Sequence, residues 1–261
     1  ACGPGVYRDD LLGSDVRGDL FVCEVAGNLI KRFDVTEMDD GSLKADPVDD
    51  PIEFLTSTDE RFRPVQTMTG PDGALYICDM YRGIIQHRIY MTSFLRRQVE
   101  SRGLEKPAAL GRIWRIVPEE DPVREIVDLR KLMDHQLVER LFDLNGTTRD
   151  NAQRLLIERA SISSVPRIRE MISVSHQVED RLRGLWTLHA LGAANPDDLQ
   201  AASSDPDPLM RRAGLRISES VLNANDLLKH CRSSLKDNDE NVRVQAMLSV
   251  SVSDDSRVLE V

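Results

Sequence analysis

The chain has no run of about 18 apolar residues, so it carries no segment that reads as a transmembrane helix. No signal-peptide pattern opens it. It also lacks a basic excess: 34 Lys and Arg stand against 44 Asp and Glu, a net charge of -10 with the acidic surplus spread along the chain. That balance argues against a general binder of nucleic acid or anionic membrane, which needs a basic face. The four cysteines, Cys2, Cys23, Cys78 and Cys231, have no metal-ligand spacing. Cys2 and Cys23 are open to a disulfide in an oxidising compartment if their Cα atoms lie close enough. Buried free thiols are the alternative, and the expectation for Cys78 and Cys231. The only histidine of the first half is His87, read as a structural residue of a strand. His135, His176, His189 and His230 are scattered over the second half as surface or packing residues and form no ligand cluster. The chain starts at Ala1 without Met and ends at Val261 in a helix-like stretch, so we expect a piece of a longer protein whose targeting signal lies elsewhere.

What is present suffices for a core. Of the 261 residues, 41% are hydrophobic and 30% charged, as in ordinary soluble proteins. Residues 1–118 read as β. Asp19–Val25 and Asn28–Val35 flank the hairpin signal Ala26-Gly27. Pro64–Thr69 and Ala74–Met80 flank Pro71-Asp72-Gly73, in which Pro presets φ and Gly accepts a positive one. Gly83–Tyr90 is expected to partner Ala74–Met80, and Gly111–Val117 is a further strand. Tyr90–Gly103 reads as a helical or irregular insertion. Short strands with close turns suggest a sandwich or a propeller, of which residues 1–118 supply about two blades.

A polar, proline-bounded linker follows at 119–127, opened by Pro118-Glu119-Glu120-Asp121-Pro122. Over 128–261 the apolar period becomes helical: Leu137, Leu141, Leu155, Leu156, Leu185, Leu188 and Leu191 fit amphipathic helices. Four units align by hand. Arg149 precedes Ala152 by three residues, Arg181 precedes Gly184, Arg211 precedes Gly214, and Arg243 precedes Ala246. A small residue recurs where helices pack closely. Stacked units of this kind bury apolar faces that no single helix pair can bury. The expected fold class is therefore β plus α, multidomain: propeller blades and then an α-solenoid of HEAT-like repeats. An unrepeated helical bundle is the alternative.

The most specific stretch is RFRPVQTMTGPDGALYICDMYRG, residues 61–83. On an extended strand Arg61 and Arg63 point to one side, and two guanidiniums there form an anion clamp. The competing reading has them paired with Asp59, Glu60 or Asp79 at the surface.

The segments ACGPGVYRDDLLGSDVRGDLFVCEVAGNLIKR, EFLTSTDERFRPVQTMTGPDGALYICDMYRGIIQH and GRIWRIVPE resemble the C-terminal part of a β-propeller domain. That domain occurs in large secreted or membrane-associated planctomycete-type proteins described as membrane-bound or sorbosone-dehydrogenase-like dehydrogenases. In them HEAT-like repeats and usually a cytochrome c domain follow. Their propeller is similar to that of soluble sugar dehydrogenases using pyrroloquinoline quinone with calcium. The resemblance implies a dehydrogenase of a sugar or alcohol, periplasmic or secreted and membrane-associated, passing electrons to a cytochrome c domain or partner. It implies that Arg63 and Arg61 face the quinone, Arg63 being the closer match, with the base and calcium ligands supplied by blades outside this chain. No Cys-x-x-Cys-His run occurs, so any haem c belongs to another domain. On this reading the piece by itself is inactive and its open strand edges favour aggregation. The competing reading is a non-catalytic propeller and solenoid scaffold for protein partners.

Overall fold

The computed structural model describes residues 2–38, 41–48, 50–120 and 124–252. Asp121 and Pro122 of the expected linker, and the helical ending at Val261, lie outside the described residues. The chain divides into two compact units, residues 1–127 with 144–147, and residues 128–143 with 148–261. Among the described residues are two antiparallel sheets and nine α-helices.

The first sheet of the first unit contains β1 (Gly5–Val6), β2 (Leu20–Glu24), β3 (Leu29–Glu37), β4 (Leu43–Pro47) and β5 (Leu55–Thr56). Its order is β1-β2-β3-β4, and β5 pairs with the start of β3. The β2–β3 register opposes Glu24 to Leu29 and leaves residues 25–28 as the turn. Asn28, not Gly27, takes the left-handed conformation there (φ 59°); its short polar side chain tolerates that region. The second sheet is β6 (Pro64–Thr69), β7 (Leu75–Asp79) and β8 (Arg112–Ile116), in that order.

Strand alternation sends Phe21, Cys23 and Ile30 of the first sheet and Leu75 and Ile77 of the second into one core with Tyr7, Val16 and Phe62. The expected pairing of Gly83–Tyr90 with β7 does not occur: β8 takes that edge, with Ile77 opposite Trp114. Residues 83–90 are irregular, closing in a single 3-10 turn at Arg88–Tyr90. The insertion contains one helix, α1 (Ser93–Ser101), capped by the Thr92 hydroxyl accepting from the Leu95 N–H at 3.2 Å.

All four cysteines are free. Cys23 is buried and burial pushes its thiol up to about 12. Cys231 is likewise buried, whereas Cys78, expected inside, is half-buried because it lies on the outward face of β7.

The second unit holds α2 (Asp134–Arg140), most of α3 (Gly146–Glu158), α4 (Val165–Val174), α5 (Val178–Ala190), α6 (Pro196–Ser203), α7 (Pro208–Val221), α8 (Ala224–Ser234) and α9 (Glu240–Ser251). The sequence marks breaks between helices at Asn195-Pro196, Asp205-Pro206-Asp207-Pro208 and Asp237-Asn238-Asp239, and residues of all three become caps. Asn195 caps α6 in a reciprocal box with Asp198, and Asp207, Asn223 and Asp239 cap α7, α8 and α9. Three cores follow in series: one among α2, α3, α4 and α5, one among α5, α6 and α7, and one among α7, α8 and α9.

The four aligned arginines occupy equivalent places. Each donates from Nη1 to the carbonyl six residues back: Arg149 to Asp143 (2.7 Å), Arg181 to Ser175 (3.2 Å), Arg211 to Asp205 (2.9 Å) and Arg243 to Asp237 (2.8 Å). Arg181 also forks onto the Asp205 carboxylate and Arg211 onto that of Asp237, with both contacts of the first at 2.8 Å and those of the second at 2.8 and 2.9 Å. The accompanying small residues, Ala152, Gly184, Gly214 and Ala246, are all buried.

Candidate functional site

Arg61 and Arg63 lie before β6 rather than within it. Between them Phe62 is buried in the core, which anchors the segment and turns both arginines away from it. Their guanidiniums then diverge. Arg63 donates from Nε to the carbonyl of Arg82 (2.9 Å), from Nη1 to those of Val25 (2.7 Å) and Ala26 (3.2 Å), and from Nη2 to that of Gly83 (3.1 Å). Arg61 donates from Nη2 to the carbonyls of Gly103 (2.9 Å) and Lys106 (3.2 Å), and its buried Nε has no partner. Burial lowers the Arg63 pKa from its ordinary value, outweighing the attraction of Glu60 and Asp79.

The carboxylates considered as their partners are engaged elsewhere. Glu60 pairs with Arg102. Asp59 accepts from the Arg61 N–H and the Tyr81 hydroxyl, which hold its carboxyl below the usual range. Asp79, buried at the end of β7, accepts the Arg63 N–H (2.8 Å), the Tyr81 N–H (2.7 Å) and the Trp114 indole N–H (3.0 Å). It thereby holds Tyr81 in a left-handed conformation (φ 46°), a strain of about 1–3 kcal/mol for a side-chain-bearing residue. The Arg112 guanidinium stacks 3.5 Å from the centre of the Tyr81 ring.

These braces frame a groove. An open cavity of 530 Å³ is lined by Met80, residues 82–87, Met91, Leu104, Glu105 and Pro107. Arg63 holds one wall through Arg82 and Gly83; Arg61 holds the other through Gly103 and Lys106. The walls meet where Gly83 faces Leu104: a Cβ on Gly83 would lie 2.6 Å from both the Leu104 Cβ and its carbonyl oxygen. His87 lines the groove on an irregular segment, its ring in a T-shaped contact with that of Tyr90, centroids 6.1 Å apart.

As placed, the two guanidiniums do not fit a quinone. Four main-chain carbonyls already take the donors of Arg63, and Arg61 is turned to a different wall. Among the described residues, no three His, Cys, Asp or Glu side chains cluster to hold a metal ion. The groove itself was not legible in the sequence, because its walls come from separate stretches joined by long-range arginine bonds. The signal that could have drawn attention to this region is local charge: residues 80–116 carry eight Lys and Arg against two Glu.

No helix among the described residues is long and apolar enough to cross a membrane. No curated protein and no solved structure matches the chain. Residues 1–120 match the model of a domain of unknown function, DUF7133.

Proposed function

We propose that the chain is a non-catalytic interaction scaffold, built from propeller-type β blades and an α-solenoid of HEAT-like repeats, that docks an electron-carrier protein of cytochrome c type. The observation that carries this reading is the repeated arginine register at 149, 181, 211 and 243 with its Arg–Asp ties, which supports a stack of equivalent helix pairs. Such stacks expose long faces to partners, and the acidic balance of the chain suits a basic one. The engagement of Arg61 and Arg63 with carbonyls supports a bracing role for both.

A second reading is a sugar or alcohol dehydrogenase of the quinoprotein-like kind, periplasmic or secreted and membrane-associated. It rests on the resemblance of residues 1–118 and on the groove beside the Arg-Phe-Arg element. Titration of the intact protein with pyrroloquinoline quinone and calcium separates the two. The scaffold reading expects no saturable binding. Saturable binding that Arg63→Ala weakens by about 1.5–3 kcal/mol, the worth of a charge-assisted hydrogen bond, would overturn it and restore the arginine clamp.

A further inference from the structure

Three of the four cysteines belong to the first unit, and two of them share its core. Cys23, 4% exposed, points inward from β2 into the cluster of Phe21, Ile30, Phe62, Leu75 and Ile77. Cys2, half-buried, packs against the same cluster, and its thiol donates to the Pro64 carbonyl at 3.9 Å. Cross-bonds bring the end of β2 to that point. The Asn28 side-chain amide donates to the Phe62 carbonyl at 2.6 Å, and Arg63 donates to the carbonyls of Val25 and Ala26. β2 itself lies against β6, whose first residue is Pro64. The Cys2 thiol is therefore held at the seam between β2 and β6, the seam that Cys23 faces.

Ionisation of Cys23 reflects the same neighbourhood. Burial pushes its thiol up to about 12, with the nearby Cys2 and then Cys78 thiols adding to the rise. Cys78 is placed differently: it is half-buried on the outward face of β7. Cys231 lies in the core of α7, α8 and α9, in the second unit. Among the described residues, no metal-holding cluster claims any of these thiols.

We propose that Cys2 and Cys23 are a redox pair: their free thiols are the reduced form, and a small disulfide of the glutathione type converts them to a disulfide that fastens the segment before β1 to β2. The half-buried Cys2 reacts first. Its thiolate attacks one sulfur of glutathione disulfide, which forms a mixed disulfide and expels one glutathione thiolate. The Cys23 thiolate then attacks the Cys2 sulfur, the Cys2–Cys23 bond forms, and the second glutathione thiolate leaves. Two protein thiols are oxidised, one glutathione disulfide is reduced to two thiols, and the protons lost by the cysteines end on those thiols. A thiol at about 12 supplies little thiolate near neutral pH, so closure by Cys23 is the slow step and quickens about tenfold per pH unit. The bond closes residues 2–23 into a loop, which restricts the unfolded chain and so stabilises the fold. The proposal rests on neither reading of the function.

Incubation of the folded, reduced whole chain with glutathione disulfide at stepped pH tests it, followed by intact mass and non-reducing tryptic mapping. The expected product is lighter than the reduced chain by about 2 Da, two thiol hydrogens having gone. In it residues 1–8 are joined to residues 18–31, the tryptic pieces that hold Cys2 and Cys23. A glutathione adduct on Cys2 precedes it. The urea midpoint of the product is higher, and dithiothreitol returns it to the starting value. Cys2→Ser gives no link while keeping the circular dichroism of wild type, whereas Cys78→Ser and Cys231→Ser leave the link in place. An adduct on Cys2 that never closes overturns the proposal. So does a link from either thiol to Cys78, or no reaction while the chain is folded.

Discussion

At the scale of single residues, Arg63 shows how a charged side chain becomes structural. Its planar fork reaches four carbonyls from two chain segments. An ammonium has three donors around one point and cannot span them. Arg63→Lys is therefore expected to lower stability by about 1–3 kcal/mol despite keeping the charge, read as a fall in the urea midpoint at constant slope. An anion clamp would instead tolerate lysine in stability and lose only ligand affinity. The residue types at 61 and 63 were legible as paired guanidiniums in the sequence. Their partners were not, because residues 82–83 and 103–106 approach only through tertiary folding.

At the scale of elements, helix pairs are tied by a short list of interactions. Arg211 braces its own turn through the carbonyls of Asp205 and Pro206 and reaches forward to Asp237. Arg211→Ala is expected to cost about 1–3 kcal/mol in chemical unfolding, since it leaves a half-buried carboxylate without its fork. The pair also has a pH signature. The Arg211 hydrogen bond, against the opposing effect of burial, holds the Asp237 carboxyl below its ordinary value. A lowered folded pKa means that the contribution is whole above the unfolded value of about 4 and disappears as the pH falls through the folded one. Wild type should accordingly lose its stability advantage over Asp237→Asn as the pH falls below about 4, in urea melts at stepped pH. Helix starts at Pro196, Pro208 and Glu240 were visible from their turn residues. The short β1, β4 and β5 were not, since two-residue strands and a wholly exposed one carry no buried alternation.

At the scale of the whole molecule, charge is the property that any partner meets first. A net charge of -10 should attract a basic electron carrier, and that attraction is long-ranged and screened. If the scaffold reading holds, cytochrome c binds the intact protein with an affinity that falls about tenfold between about 50 and about 200 mM salt, measurable by calorimetry. Salt-independent binding, or none at low salt, would count against that partner.

The sequence by itself determined that β gives way to α after residue 118 and where three of the later helices start. The change of apolar period after residue 118, the turn residues before α6, α7 and α9, and the small residue three places after each aligned arginine are local signals, set by backbone geometry within one or two turns. Tertiary structure alone decided that β8 rather than residues 83–90 completes the second sheet, and that Arg61 and Arg63 diverge to brace a groove. Edge pairing and guanidinium reach depend on which distant backbone arrives within hydrogen-bond distance, and no local pattern encodes that separation.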